Sequence, residues 1–98
     1  MITRIRYVRI KPNSIEAYKY LALDWQNLLH EYGGSVLGFY YNEKEETVVG
    51  IAEYESREEL AAIQSRCESD PRFPSIRKQA RELVVSFEEQ VLDKLDLE

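Results

Sequence analysis

Few residues of this chain carry the chemistry of a catalyst. It has one His, His30, and one Cys, Cys67. A single imidazole near the end of a helix can serve as a general base or hydrogen-bond donor at the mouth of a pocket. The competing reading is a surface His at the helix C-terminus, where a cation is favoured by about 0.3–1 kcal/mol. The second signal is aromatic. Trp25 and seven tyrosines stand among 98 residues. Trp25, Tyr32 and Tyr40 would suit a pocket for a flat aromatic ligand. At helical spacing Trp25 and Tyr32 equally fit a packed core. Arg6 is the third candidate. It shares a strand face with Arg4 and Val8. An Arg in such a place pairs with a carboxylate, Glu53 and Glu88 being at hand, or binds an anionic ligand.

Other chemistries lack their residues. One His and one Cys make no metal set. No phosphate-cradling glycine loop and no G-x-S-x-G are present. Gly33-Gly34 reads as a helix stop. Cys67 reads as an inert packing residue. No cofactor is called for.

The element that must position these residues is a long amphipathic stretch, Asn13 to Gly34. Ile15, Tyr18, Ala22, Trp25, Leu29 and Tyr32 recur at three and four, with Leu21 and Leu28 beside them, and so form one helical stripe. Asn13 with Glu16 has the form of a capping box, with Ser14 as the other candidate cap. A first strand precedes it, residues 2–11, with Ile5 and Tyr7 on one face and Ile2, Val8 and Ile10 on the other. A second strand spans 35–42, with Leu37, Phe39 and Tyr41 against Val36 and Tyr40. A polar turn leads to a third strand, 47–54. Ser56 to Glu59 is a capping box opening a second helix, in which Leu60, Ile63 and Cys67 face inward. After the break at Asp70 to Pro74 comes a short helix, 75–82, and then a last strand, 83–92, with Leu83, Val85 and Phe87 against Val84, Ser86 and Glu88.

The length sets one domain, residues 1–98, that buries roughly 60–65% of its unfolded surface. The chain is 44% hydrophobic and 32% charged, a globular composition. Its net charge of −5 argues against nucleic acid and anionic membrane partners. With no apolar span, no signal core and no possible disulfide within the chain, a cytoplasmic protein is expected. The order β-α-β-β-α-β predicts an α+β, ferredoxin-like domain: a four-stranded antiparallel sheet with helices on one face. Ile2, Val8, Ile10, Val36, Tyr40 and Val84 are expected on the open face. A second copy, packed sheet to sheet as a homodimer, would cover them.

These residues resemble the NIPSNAP family. The resemblance rests on Arg6 running into Lys11-Pro12, the long helix, and Gly34-Ser35-Val36-Leu37-Gly38-Phe39-Tyr40. It continues through Val48-Val49 to Tyr54-Glu55-Ser56 and the Asp70-Pro71 pair. The chain departs from the family's habits at Arg4, Asn13, Gly50 and Ala52. The resemblance implies a dimeric α/β barrel and little defined chemistry. It leaves two expectations. One is a homodimer that binds a small molecule, such as an aromatic ligand, or a partner. The other, by analogy with the wider superfamily, is a cofactor-free monooxygenase of the antibiotic-biosynthesis type acting on an aromatic or polyketide-like substrate. Its catalytic residue would be His30; Trp25, Tyr32, Tyr40 and Arg6 would hold the ligand.

Overall fold

In a computed structural model that describes residues 1–97, the helical stripe becomes α1 (Ile15–Glu31). It follows β1 (Ile2–Ile10) and precedes the hairpin of β2 (Ser35–Asn42) and β3 (Thr47–Tyr54). Then come α2 (Arg57–Glu68), α3 (Phe73–Leu83) and β4 (Val84–Asp93). The strands form one antiparallel sheet in the order β2-β3-β1-β4. This is the expected ferredoxin-like topology, with β1 and β3 central. The short third helix is longer than its sequence pattern, because Pro74 sits in its first turn, where a missing N–H costs nothing.

Local chemistry sets the ends of α1 and α2. Gly33 adopts φ +96° just after α1, and the Gly34 N–H bonds back to the Leu29 carbonyl at 2.8 Å. The glycine pair is therefore a helix stop, as its sequence implies. The Ser56 hydroxyl accepts the Glu59 N–H at 3.1 Å and caps α2. The start of α1 differs from expectation. Asn13 takes a left-handed turn conformation, φ +60°, and Ser14 is the N-cap without a side-chain cap bond. Pro12 holds the chain in a tight turn here, so the Asn13–Glu16 box does not form; Glu16 instead meets Lys19 at 3.0 Å.

The core lies between the helices and one sheet face. Leu28, Leu29, Ile63 and Cys67 are at most 1% exposed. Burial of side chains of this size contributes about 1.5–3 kcal/mol each for the aliphatic ones. They meet Ile2, Val8 and Ile10 of β1 and Val48, Ala52 and Tyr54 of β3. The first strand therefore faces the opposite way from the expected open surface. Ile2, Val8, Ile10, Val36 and Val84 belong to the helix-covered side, and only Tyr40 of the expected set lies on the open one. Cross-strand registers identify the open face as Thr3, Ile5, Tyr7 and Arg9 of β1, with Thr47, Val49, Ile51 and Glu53 of β3. Tyr40, opposite Val49, extends it onto β2. It remains apolar at its centre.

Two irregularities explain the other misplacements. A bulge between Val36 and Gly38 shifts β2 against β3, so Val36, Phe39 and Tyr41 share the helix side. A second shift at Arg9/Ile10 places both Val84 and Phe87 of β4 on that side. A bulge inserts one residue and turns the following side chains to the opposite face.

Candidate functional site

Beneath α1 the helices do not fill the space above the sheet. A cavity of about 560 Å³ lies there, bounded by α1, α2, α3 and the helix-side face of the strands. Much of its wall is apolar. Tyr18, Leu21, Ala22 and Trp25 descend from α1; Phe73, Ile76 and Ala80 come from α3; Val8 and Phe39 rise from the sheet. Trp25 and Phe73 form a tilted ring pair, centroids 6.2 Å apart. Exposed Arg77, Arg81 and Phe87 also border the cavity and mark its solvent side.

The polar part of the lining is cationic. Four arginines, Arg4, Arg6, Arg77 and Arg81, face one carboxylate, Glu68. Arg6 Nε donates to Glu89 Oε2 at 2.9 Å, and its guanidinium lies 5.4 Å from the Trp25 ring centre. Glu89, not Glu53 or Glu88, is thus the carboxylate partner of Arg6. The register pairs Arg6 with Glu89 directly across β1 and β4. Arg4 lies deeper, 2% exposed. One of its N–H groups donates to Gln64 Oε1 at 2.8 Å, and its guanidinium lies 5.2 Å from the Tyr54 ring centre. Among the described residues no carboxylate forms an ion pair with it. Burial, reinforced by the like charge of Arg6, pulls the Arg4 pKa down from its ordinary value. An Arg nonetheless stays charged at any physiological pH. Burial raises the Tyr18 hydroxyl, which therefore remains protonated near neutrality.

Two of the five residues singled out by sequence line this cavity: Trp25 and Arg6. His30 is exposed at the end of α1, and its Nε2 accepts the Val36 N–H at 3.2 Å. It supports the start of β2, outside the cavity. Tyr40 stands on the opposite sheet face. Tyr32 is fixed elsewhere. Its hydroxyl donates to Asp70 Oδ2 at 2.7 Å, while both Asp70 oxygens accept from Arg72 and Arg72 reaches Glu31 at 2.7 Å. These bonds, those from Arg72 first, hold the Asp70 carboxyl far below the usual carboxylate range. The network ties the end of α1 to the turn between α2 and α3. Cys67 is fully buried in α2, and burial raises its thiol pKa, which makes it a packing residue.

Sequence reasoning missed Arg4 and Gln64 as site residues. Arg4 did leave a signal: it occupies an inward position between Ile2 and Val8, where an unpaired charge is uncommon. Gln64 on the third turn of α2 left none.

Fold and site together define a ferredoxin-like α+β domain with an arginine-bearing cavity between its helices and its sheet. A family model named NIPSNAP matches residues 3–97. The chain belongs to the NIPSNAP family. A NIPSNAP family protein of unknown function from Agrobacterium tumefaciens is 24% identical, with TM-score 0.86 over 100% of this chain and 91% of that one. A NIPSNAP domain protein from Burkholderia xenovorans is 17% identical, with TM-score 0.87 over 99% and 97%. A solved antibiotic biosynthesis monooxygenase, 16% identical, aligns with TM-score 0.73 over 98% and 100%. At these identities the likeness is one of fold. No protein with a curated description matches the chain. Among the described residues no helix is long and apolar enough to cross a membrane.

Proposed function

We propose that this NIPSNAP family chain binds a small aromatic molecule in the cavity beneath α1 and works as a homodimer joined through the open sheet face. The cavity carries the first part. Its volume, about 560 Å³, falls within the range of small-molecule sites. Its Trp25 and Phe73 rings offer faces and edges to a flat ligand. Apolar Ile5, Tyr7, Val49 and Tyr40 on the uncovered sheet face support the second part. The test is a thermal-shift screen of aromatic compounds against wild type and Ala22→Phe, a substitution that puts a ring on the cavity wall beside Trp25 where the ligand would lie. A ligand at about a hundred times its Kd adds about 2.7 kcal/mol to wild type and none to the variant. An equal shift in both proteins would place the binding elsewhere and overturn the reading.

The fold shared with a monooxygenase supports a second reading, oxygenation of an aromatic or polyketide-like substrate without a cofactor. His30 is outside the cavity, so Glu68 or the Tyr18 hydroxyl would have to move the proton. Dioxygen uptake above the protein-free rate, abolished in Ala22→Phe, is its signature. Uptake equal in both proteins, or absent, rejects it.

A further inference from the structure

The cavity reading leaves open what charge its ligand bears, and the arginines on β1 bear on that question. A guanidinium has five N–H donors in a rigid fork and no acceptor. Arg4 is buried, and among the described residues its side chain has one hydrogen bond, to a neutral amide oxygen. Taking a charge out of water costs several kcal/mol unless an opposite charge answers it. Of the two candidate carboxylates, Glu89 is committed to Arg6 at 2.9 Å, and Glu68 on the cavity wall forms no ion pair with Arg4. The lining as a whole carries four arginines against one glutamate, in a chain whose net charge is −5. The excess of positive charge is thus local to the cavity and opposite to the rest of the molecule.

Resting on the cavity reading above, we infer that the ligand is an aromatic carboxylate whose carboxylate pairs with Arg4 at the cavity floor. The planar fork of a guanidinium matches two carboxylate oxygens side by side. Gln64 holds one edge of Arg4 at 2.8 Å and fixes the plane of the fork. The aromatic body then extends past Trp25 and Phe73. Arg6, already neutralised by Glu89, stacks on Trp25 and completes the wall. Pairing with the ligand would relieve the repulsion between Arg4 and Arg6, which contributes to the depressed pKa of Arg4.

The experiment compares matched ligands that differ only in charge. 2-Naphthoic acid and 2-naphthamide are titrated into wild type and Arg4→Met, with Trp25 fluorescence and calorimetry as readouts. Methionine fills similar volume, and replacing a buried ion with an apolar group is often tolerated. The expected result is at least tenfold tighter binding of the acid by wild type, with the preference lost in Arg4→Met while the amide still binds. Equal affinity of acid and amide for wild type overturns the inference without touching the cavity reading, and needs no variant. A preference that survives Arg4→Met overturns the assignment to Arg4. If neither compound binds wild type, nor any member of a wider panel of aromatic acids and amides, both the inference and the cavity reading fail.

Discussion

At the scale of single residues, the polar groups under the helices divide into satisfied and unsatisfied ones. The Tyr54 hydroxyl is buried and, among the described residues, has no hydrogen-bond partner. A buried polar group without a partner costs about 1–3 kcal/mol. Tyr54→Phe removes it and keeps a ring beside Arg4, so the variant should be more stable by about 1 kcal/mol, read as a higher urea midpoint at unchanged slope. A drop of that size would reveal a partner for the hydroxyl in solution. Asp70 is the opposite case, a carboxylate holding bonds from Tyr32 and Arg72. Its pKa is depressed in the folded chain. Its contribution is therefore complete above the unfolded value of about 4 and is lost as pH falls below it toward the folded value. Asp70→Asn should lower the melting temperature at neutral pH. It should also flatten the decline below pH about 4. Parallel acid curves for variant and wild type would refute this account.

Elements were mostly legible in the sequence, and the reasons are local. The bounds of β2 and β3 follow their apolar runs and the polar turn between them. The end of α1 follows Gly33, whose φ of +96° disfavours any residue with a Cβ. Gly33→Ala should cost about 1–2 kcal/mol, measured by denaturant unfolding; a neutral result would mean the turn rearranges. Leu28, 1% exposed under the same helix, should cost about 2–5 kcal/mol on change to Ala. What was not legible was which way strands face. Alternation along β1 separates Ile2, Val8 and Ile10 from Ile5 and Tyr7, yet both sets are apolar, so the pattern cannot say which one the helices cover. The bulge at Val36–Gly38 then reverses the parity of β2 with no glycine-rich or proline signal to mark the reversal beyond Gly38 itself. The site suffered in the same way. Trp25 was found because helical periodicity put it inside, and Arg6 because an Arg among apolar side chains on a strand needs a partner, although its face was expected to be the open one. Val36 was misplaced by the bulge, while Tyr40, on the open face as its alternation implies, could not also line a cavity on the opposite side. His30 and Tyr32 were misplaced because their partners, Val36 and Asp70, are tertiary contacts.

For the molecule as a whole, the sheet has one face roofed by helices and one bare. If two copies meet through the bare face, Tyr7→Glu and Val49→Lys should each dissociate the dimer in sedimentation velocity while the far-ultraviolet circular dichroism persists. Val8, next to Tyr7 but buried under the helices, should behave differently: Val8→Asp should lower stability rather than oligomeric state, since it puts an unpaired charge in the core. A dimer that survives both open-face changes would reject that surface as the interface.

The strand order has one more consequence, for synthesis. Of the four strands, central β1 leaves the ribosome first, but one of its two neighbours, β4, follows the other three, and Ile2 pairs with Asp93. Until then one edge of a strand bearing Ile5, Val8 and Ile10 stays unpaired, the condition under which chains recruit one another into aggregates. Arg4, Arg6 and Arg9 punctuate that strand. Charges flanking an obligatory apolar strand act as gatekeepers. Arg4 and Arg6, which help give the finished cavity its polarity, would therefore join Arg9 in guarding the nascent sheet, and neutralising the three together should show first as poor yield of soluble protein during expression at elevated temperature.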